Sequence, residues 1–205
     1  MKGILQFIID FIFPPREEEV VLRSFTPEKL FEISQRSNEP EFPFIKSIYS
    51  YRDPIIRELV WQIKYKKNKH AIQCACYALN SELLKINGKV ILIPIPISKE
   101  RRKERGYNQC ELIIDELLKL NKNNLISKDF DILIRNKNIE KQTFKNKKDR
   151  ISNTRDIFQV VKKPIDDSKI IIIDDVSTTG STLNEARDVL LKSGFMTVEA
   201  LTVAH

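Results

Sequence analysis

Two adjacent acids and a hydroxyl-rich turn follow an apolar run late in the chain. Residues 170–183 read IIIIDDVSTTGSTL, and the acids are Asp174 and Asp175. The turn that follows contains Thr178, Thr179, Gly180, Ser181 and Thr182. Free backbone amides at the start of a helix, together with the helix dipole, attract a phosphate dianion. Hydroxyl donors strengthen such a site, and a glycine lets the backbone approach the ligand closely. We therefore expect residues 178–182 to bind a phosphate group.

The two acids need a partner other than phosphate, because carboxylates that point into a phosphate site repel the ligand. An ionised carboxylate only accepts hydrogen bonds, so the neighbouring hydroxyls of a ribose suit it. A sugar phosphate satisfies both halves of the segment. The turn has no lysine and is therefore not a Walker A loop. If Asp174 and Asp175 merely capped the next helix, one acid would be explained, but not two acids and four hydroxyls.

Composition narrows the class of protein further. The chain has 205 residues, of which 41% are hydrophobic and 31% charged, and its formal net charge is +7. These values are typical of a globular protein with one α/β domain and a small appendage. Five glycines are too few for a Gly-rich dinucleotide loop or a collagen-like repeat. Three cysteines without disulfide-framework spacing favour a reducing, cytoplasmic compartment, and we expect no zinc site.

The N-terminal segment is apolar over residues 4–13, although Gln6 and Asp10 interrupt it. It is too short to span a bilayer as a helix, which needs about 20 residues. We predict a short helix docked on the body, and leave open a helix that lies on the inner membrane face or binds a partner. Prolines and glutamates follow, so residues 1–43 are predicted to be a helix and an irregular appendage, and residues 44–205 the main domain.

Strands that alternate with helices predict a mostly parallel sheet with helices on both faces. Asp53 and Pro54 suit the N-cap and first position of a helix, because an apolar repeat at helical spacing follows them. The run VILIPIPI at residues 90–97 predicts a buried strand that enters a rigid loop at its prolines. Further strands are predicted to begin at Lys169 and, more weakly, over residues 131–135. Open α/β sheets bind ligands at the carboxyl ends of their strands, where the turn of acids and hydroxyls would lie.

That turn resembles the 5-phosphoribosyl-1-pyrophosphate (PRPP) signature of type I phosphoribosyltransferases. Other segments are similar to those of the ComF family (competence protein F, amidophosphoribosyltransferase-like). They are IPIPISKERRKERGYNQ at 93–109, Arg135 followed by KQTFKNKKDRISN at 141–153 and IF at 157–158, and the PP pair at 14–15 with the WQIKY run. The resemblance covers essentially residues 44–204 and implies an α/β fold of the type I phosphoribosyltransferase class.

One departure from the family pattern concerns the N-terminal region. Many ComF proteins carry a four-cysteine zinc module there, whereas residues 1–50 of this chain contain no cysteine. The resemblance therefore implies a small N-terminal appendage that lacks the zinc module. Any role of that module in the family does not transfer to this chain.

The resemblance also implies a role for each matched residue. Asp174 and Asp175 would hold the ribose hydroxyls of PRPP, and residues 178–182 its 5-phosphate. The pyrophosphate side would be formed by Pro94, Ile95, Pro96, Ile97, Ser98, Arg101, Arg105, Gly106, Asn108 and Gln109. A mobile basic loop would close over the ligand with Lys141, Gln142, Lys145, Lys147, Lys148 and Arg150. Mg²⁺ would be held mainly by PRPP itself, with no dedicated metal cage on the protein.

The function implied is PRPP binding with a part in natural transformation, where incoming single-stranded DNA is handled. Residues 99–150 contain 15 Lys and Arg against 9 Asp and Glu, an excess of six that would attract PRPP or DNA phosphates. Tyr107, Phe130 and Phe144 are interleaved with these cations and could stack bases. The expected partners are PRPP, single-stranded DNA and other competence proteins such as a DNA helicase or translocase. No oligomeric state is predicted.

An enzymatic role stays open at this point. Phosphoribosyl transfer would release pyrophosphate as an acceptor attacks the anomeric carbon of PRPP, and the protein would contribute positioning and charge stabilisation. No general base is evident, because His70 and His205 are predicted to be surface residues. The alternative function is that of a phosphoribosyltransferase in nucleobase or amine metabolism without a DNA role.

Overall fold

The computed structural model describes residues 15–37, 42–121, 125–135, 157–164 and 166–205. Two of the predicted segments lie outside the described residues: the apolar segment at 4–13 and the basic loop within 136–153. Phe144 lies outside them as well.

Seven helices occur among the described residues. They are α1 (Glu17–Ser24), α2 (Pro27–Ile33), α3 (Pro54–Lys66), α4 (Lys69–Leu83), α5 (Lys99–Arg105), α6 (Gln109–Leu120) and α7 (Ser181–Lys192). The predicted start of α3 is confirmed, because the Asp53 carboxylate accepts a hydrogen bond from the backbone N–H of Ile55 at 2.9 Å. Pro54 occupies the first helical turn, where its missing N–H costs no hydrogen bond.

The described strands form two sheets. Their bounds are β1 (Ile45–Tyr49), β2 (Val90–Pro94), β3 (Ile126–Lys128), β4 (Leu133–Arg135), β5 (Phe158–Val160), β6 (Lys169–Val176) and β7 (Val198–Ala204). The main sheet has the order β1-β7-β6-β2-β3, and all four of its strand pairs are parallel. The strand predicted at 131–135 instead becomes β4 of a small antiparallel sheet with β5.

Helices cover both faces of the main sheet. α4 and α6 pack against each other, α6 lies on β2 and β6, and α7 packs on β7 and β5. The four isoleucines of β6, residues 170–173, are fully buried although their side chains alternate between the two faces. A continuous apolar run is the pattern of a parallel strand buried on both sides. The predicted α/β fold class, a mostly parallel sheet with helices on both faces, is therefore confirmed.

The segment before β1 packs against this body. α1 lies on α3 and buries Leu22, and α2 lies on α4 and buries Leu30. Both leucines belong to the same hydrophobic core as the isoleucines of β6. Arg36 then forms an antiparallel bridge with Tyr49 at the end of β1. Among the described residues, no helix is both long enough and apolar enough to cross a membrane.

The order of the strands defines a switch point between β2 and β6. From β2 the chain proceeds through α6 to β3 on one side, and from β6 it proceeds through α7 to β7 on the other. The loops that leave β2 and β6 therefore diverge and open a crevice at the carboxyl ends of these strands. Ligands of open α/β sheets bind at such a point.

Candidate functional site

The turn of acids and hydroxyls lies in this crevice, directly after β6. Asp174 and residues 176–183 line a small cavity of about 50 Å³. The four hydroxyl side chains of the turn are exposed, and the Thr179 and Ser181 hydroxyls are 2.9 Å apart. These groups are free to turn toward a ligand in the cavity.

The N-terminus of α7 points its amides at the same cavity. Thr26, Asp53, Asn68, Ser98 and Asn108 cap their own helices with a side-chain oxygen. By contrast, α7 starts at Gly180 without a side-chain cap from the described residues. The Ser181 N–H makes only a long hydrogen bond, 3.4 Å, to Oγ1 of Thr179. The start of α7 can therefore receive an external anion, which the helix dipole favours.

Gly180 is required by the fold itself. Its φ of +72° lies in the left-handed region that residues with a Cβ rarely adopt. A Cβ at this position would also lie 2.6 Å from Cδ2 of Phe42 and 2.9 Å from Cδ1 of Ile45. The sequence indicated a glycine for close approach of phosphate; the structure adds that the aromatic side chain before β1 occupies the space where a Cβ would lie.

The two acids have different surroundings. Asp174 is half-buried, and its Oδ1 accepts hydrogen bonds from the Asp175 backbone N–H at 2.8 Å and from the Cys110 thiol at 3.6 Å. Asp175 is only 3% exposed, its Oδ1 accepts from the Val176 N–H, and its Oδ2 lies 3.1 Å from Nζ of Lys64. Burial and the neighbouring Asp175 raise the pKa of Asp174 well above its ordinary value. Burial raises the pKa of the Cys110 thiol too, which keeps it a neutral donor.

The proline loop after β2 lies beside these acids. Pro94 is paired in register with Ile173, and the Ile95 N–H donates to the Ile173 carbonyl at 3.0 Å. Asn108 fixes the loop from the other side, because its buried side-chain amide donates to the Ile95 carbonyl at 3.0 Å. The start of the loop at 94–98 thus lies beside the end of β6, next to Asp174.

A second cavity, of about 200 Å³, separates this loop from β4. Its apolar side includes Pro94, Pro96 and Ile97, and its charged side includes Lys99, Arg102 and Arg135. Arg102 forms an ion pair with Glu111 on α6. The arrangement places several cations within reach of a group bound in front of the proline loop.

The basic residues of α5 differ in exposure. Arg101 is exposed, whereas Arg105 is half-buried, donates to Oε1 of Gln109 at 2.9 Å and lies over the ring of Tyr65. Gly106 ends α5 in the left-handed conformation with φ +78°, and none of the described residues comes within 4 Å of the point where a Cβ would lie. Arg101 is therefore the freer of the two predicted phosphate ligands.

Sequence reasoning missed interactions that come from distant parts of the chain. Lys64 belongs to the WQIKY run, yet nothing in that run reveals that its amine reaches Asp175. Cys110 is a fully buried core residue, but it also touches Asp174. The two histidines are not free surface residues: His70 and His205 are half-buried, and their ring nitrogens lie 3.2 Å from the Leu22 carbonyl and 3.1 Å from the Ser177 carbonyl.

Metal ligands do not cluster in the described part of the chain. No group of three or more His, Cys, Asp or Glu side chains there could hold a metal ion. A larger cavity of about 670 Å³ lies at the β1 edge, between Arg36, Lys46 and Lys85. None of the predicted site residues lines it, so it is not part of the site.

Curated proteins with similar sequences point to one family. Competence protein ComFC of Bacillus subtilis (strain 168) is 32% identical over 151 residues, which are 73% of this chain and 58% of that protein. Competence protein F of Haemophilus influenzae is 33% identical over 120 residues, 56% of this chain and 49% of that protein. DNA utilization protein YhgH of Escherichia coli (strain K12) is 24% identical over 166 residues, 78% and 71% of the two chains. The chain thus spans about half to three fifths of the length of the first two relatives. No family model matches.

Solved structures give a weaker similarity. Two crystal structures of a hypoxanthine phosphoribosyltransferase from Staphylococcus aureus align with TM-scores of 0.39 and 0.40 at 18% identity, over 64% of this chain and 61% of that protein. The parallel sheet, its switch point and the turn of acids and hydroxyls define an open α/β protein with a ligand crevice at the carboxyl ends of β2 and β6. Within that class, the curated matches confirm the resemblance to the ComF family.

Proposed function

We propose that this chain binds PRPP at the carboxyl ends of β2 and β6. The observation that carries the proposal is the uncapped start of α7, which is surrounded by four exposed hydroxyls with the half-buried carboxylate of Asp174 on the same cavity wall. Amides, hydroxyls and one acid at this spacing suit a 5-phosphate next to a ribose.

The remaining parts of PRPP would extend along the crevice. Its pyrophosphate would lie in front of the proline loop, where Lys99 and Arg102 line the second cavity and Arg101 is exposed nearby. Mg²⁺ would be held mainly by the ligand's own oxygens and would neutralise part of the pyrophosphate charge. The residues of this chain would contribute orientation, through the fixed amides of α7, and charge stabilisation on the departing side.

A role in competence is proposed on the basis of the relatives. They are named competence proteins and DNA utilization proteins, and the chain covers only part of the first two. In that role the protein would bind PRPP in the cytoplasm and take part in handling single-stranded DNA. The alternative is a phosphoribosyltransferase of nucleobase or amine metabolism without a DNA role.

Isothermal titration calorimetry with PRPP and Mg²⁺ tests the binding site. We expect Asp174→Asn to weaken PRPP binding about tenfold or more, because hydrogen bonds to a charged acceptor contribute about 1.5–3 kcal/mol each. Thr182→Val removes one exposed hydroxyl and is expected to weaken binding by a smaller factor. Asp167→Asn, an exposed acid before β6, is the matched control. Equal affinity of wild type and Asp174→Asn would refute the proposed ribose contact.

Single-stranded DNA is the second candidate ligand, and one surface favours it. In the described part of the chain α5 has no buried residue, and it carries Lys99, Arg101, Arg102, Lys103 and Arg105. Such a helix is suited to phosphate contacts. By contrast, Tyr107 is half-buried with its hydroxyl bonded to the protein, so it is a poor stacking platform.

DNA binding can be tested by fluorescence anisotropy with a labelled oligonucleotide over a salt series. We expect affinity to fall steeply with salt and to decrease when Lys99, Arg101 and Lys103 are changed to Ala, because a protein that neutralises fewer phosphates displaces fewer counterions from the DNA. Lys145, Lys147 and Lys148, changed together to Ala, form a second set chosen from the sequence. Lys29→Ala on α2, whose amine pairs with Glu32, is the control. Binding that does not depend on salt would contradict this candidate.

The enzymatic question needs a direct assay. Release of pyrophosphate from PRPP, measured with nucleobases, amines and single-stranded DNA as acceptors, separates a transferase from a protein that only binds PRPP. Turnover with a base or amine but not with DNA would favour the metabolic alternative.

A further inference from the structure

We propose that the two acids of the site have different tasks: Asp174 accepts the hydrogen bonds of the ribose, whereas Asp175 and Lys64 form a positioning pair that fixes Asp174. This inference rests on the proposed sugar-phosphate site and refines it. It also assigns a role in that site to α3, a helix outside the signature segment.

Only one of the two acids faces the cavity. Asp174 lines the cavity in front of α7, and Asp175 is not among the described residues that line it. The Asp175 side chain is 5% exposed, and that of its partner Lys64 is 21% exposed. A carboxylate so enclosed offers little surface to a ribose hydroxyl, and a ligand that displaced Lys64 would have to separate a buried ion pair, which is costly.

The contacts of Lys64 and Asp175 hold Asp174 in place. The amine of Lys64 lies 3.1 Å from Oδ2 of Asp175, and Oδ1 of Asp175 accepts from the Val176 N–H at 3.0 Å. These contacts fix the backbone at Asp175, whose own N–H donates to Oδ1 of Asp174 at 2.8 Å. The Cys110 thiol donates to the same oxygen. Both donors engage Oδ1, which leaves Oδ2 of Asp174 to face the ligand.

The position of Lys64 is itself fixed. It lies in the last turn of α3, between Ile63, whose carbonyl accepts a hydrogen bond from the Tyr107 hydroxyl at 2.8 Å, and the end of the helix. Tyr107 belongs to the turn that leads into α6, and α6 carries Cys110. The hydrogen bond from Tyr107 to Ile63 therefore helps to hold both Lys64 and Cys110 in place beside the two acids.

Calorimetry with ribose 5-phosphate, 2-deoxyribose 5-phosphate and inorganic phosphate distinguishes positioning from direct contact. The variants are Asp174→Asn, Asp175→Asn, Lys64→Met and the double variant Lys64→Met/Asp175→Asn, with Lys64→Arg as the conservative control. Thermal melts establish that each variant is folded. The two sugars differ only in the 2-hydroxyl, so their comparison isolates the contribution of that hydroxyl, which a loss of general stability would not change.

We expect Asp174→Asn to weaken ribose 5-phosphate about tenfold or more and to abolish its advantage over the deoxy sugar. Asp175→Asn should weaken it less than about threefold, since the amide keeps the buried position without a charge. Lys64→Met should reduce the preference for ribose but not phosphate binding, because it leaves Asp175 buried and unpaired. The double variant should lose no more of that preference than Lys64→Met alone, because the two residues act as one pair, and Lys64→Arg should retain it.

Two results would overturn the division of tasks. One is an equal loss of the ribose preference in Asp174→Asn and Asp175→Asn, which would make both acids direct ligands. The other is a double variant whose loss of preference equals the sum of the losses in Lys64→Met and Asp175→Asn, which would show that the two residues act independently. Failure of the wild type to bind any of the three probes or PRPP would instead refute the proposed sugar-phosphate site itself, and the inference with it.

Discussion

Asp174 is a carboxylate held in surroundings that disfavour its charge. It is half-buried, lies next to Asp175, and receives one backbone and one thiol donor. Burial and Asp175 raise its pKa, while Lys64 and the Asp175 N–H oppose that rise. Acids whose pKa is raised by burial and a neighbouring charge are common at functional sites.

This predicts that Asp174→Asn stabilises the ligand-free protein at pH 8. A group whose pKa is raised in the folded state contributes most to stability below its unfolded pKa of about 3.9, and that contribution is lost as pH rises through the folded pKa. The variant should therefore have a higher Tm than wild type at pH 8 and no advantage near pH 4. Thermal melts across pH measure this, with the exposed Asp167→Asn as control. A lower Tm at pH 8 would contradict it.

Gly180→Ala is predicted to destabilise the fold as well as the phosphate site. The left-handed φ costs a residue with a Cβ about 1–2 kcal/mol, and the close approach of Phe42 adds to that cost. Gly106→Ala is the matched control, since its φ of +78° is similar but its surroundings are open. In urea denaturation, Gly180→Ala should lose clearly more free energy of unfolding than Gly106→Ala. Equal losses would show that backbone conformation alone requires the glycine.

The residues of the turn could be predicted from the sequence, but their supports could not. Asp174 and its neighbours are adjacent in sequence, so their types and spacing already indicate phosphate and ribose chemistry. Lys64 and Cys110 reach the same acids from α3 and α6. Their contribution depends on how helices pack over the sheet, which local patterns do not encode.

At the level of elements, the turn between α5 and α6 is tied to the C-terminal end of α3. The Tyr107 hydroxyl donates to the Ile63 carbonyl at 2.8 Å and accepts from the Lys67 N–H at 3.1 Å. α5 itself buries no residue in the described part of the chain. The position of the basic helix therefore depends on the turn that follows it and on the polar contacts of Arg102 and Arg105.

Tyr107→Phe is predicted to lower the free energy of unfolding by about 1–2 kcal/mol, because two backbone groups lose a hydrogen-bond partner. Urea denaturation measures the loss. Tyr77→Phe, at a more exposed ring that packs edge-on against Phe31, serves as the control and should change stability less. If both variants were equally stable, the hydrogen bonds of the Tyr107 hydroxyl would not contribute significantly to stability.

Long, strongly patterned elements were the ones the sequence predicted. The start of α3 and the strands β2 and β6 are confirmed, because capping residues and apolar runs act locally. β3 and the pairing of β4 with β5 were missed. Each of these strands has only three residues, and their pairing is set by contacts with partners far along the chain.

For the whole molecule, the segment before β1 and the sheet share one core. Leu30 on α2 is fully buried, whereas Ile33 on the same helix is 46% exposed. We expect Leu30→Ala to lower the free energy of unfolding by about 2–5 kcal/mol and Ile33→Ala by much less. Trp61, the single tryptophan, reports on α3 by fluorescence, and far-UV circular dichroism reports on the whole chain.

The two signals should give one coincident transition in wild type and in Leu30→Ala. A Leu30→Ala variant that leaves the main transition unchanged would show that residues 15–37 fold as a separate unit. That result would favour the division at residue 43 that the sequence predicts.

The place of β7 in the sheet has a consequence for how the chain is synthesised. It is the last strand in the sequence, yet it lies between β1 and β6 and forms parallel pairs with both. While a ribosome is still making residues 198–204, β1 has no neighbour in the main sheet and remains an open edge. The main sheet is therefore completed only after residues 198–204 are translated, and until then a chaperone has a hydrophobic surface to shield.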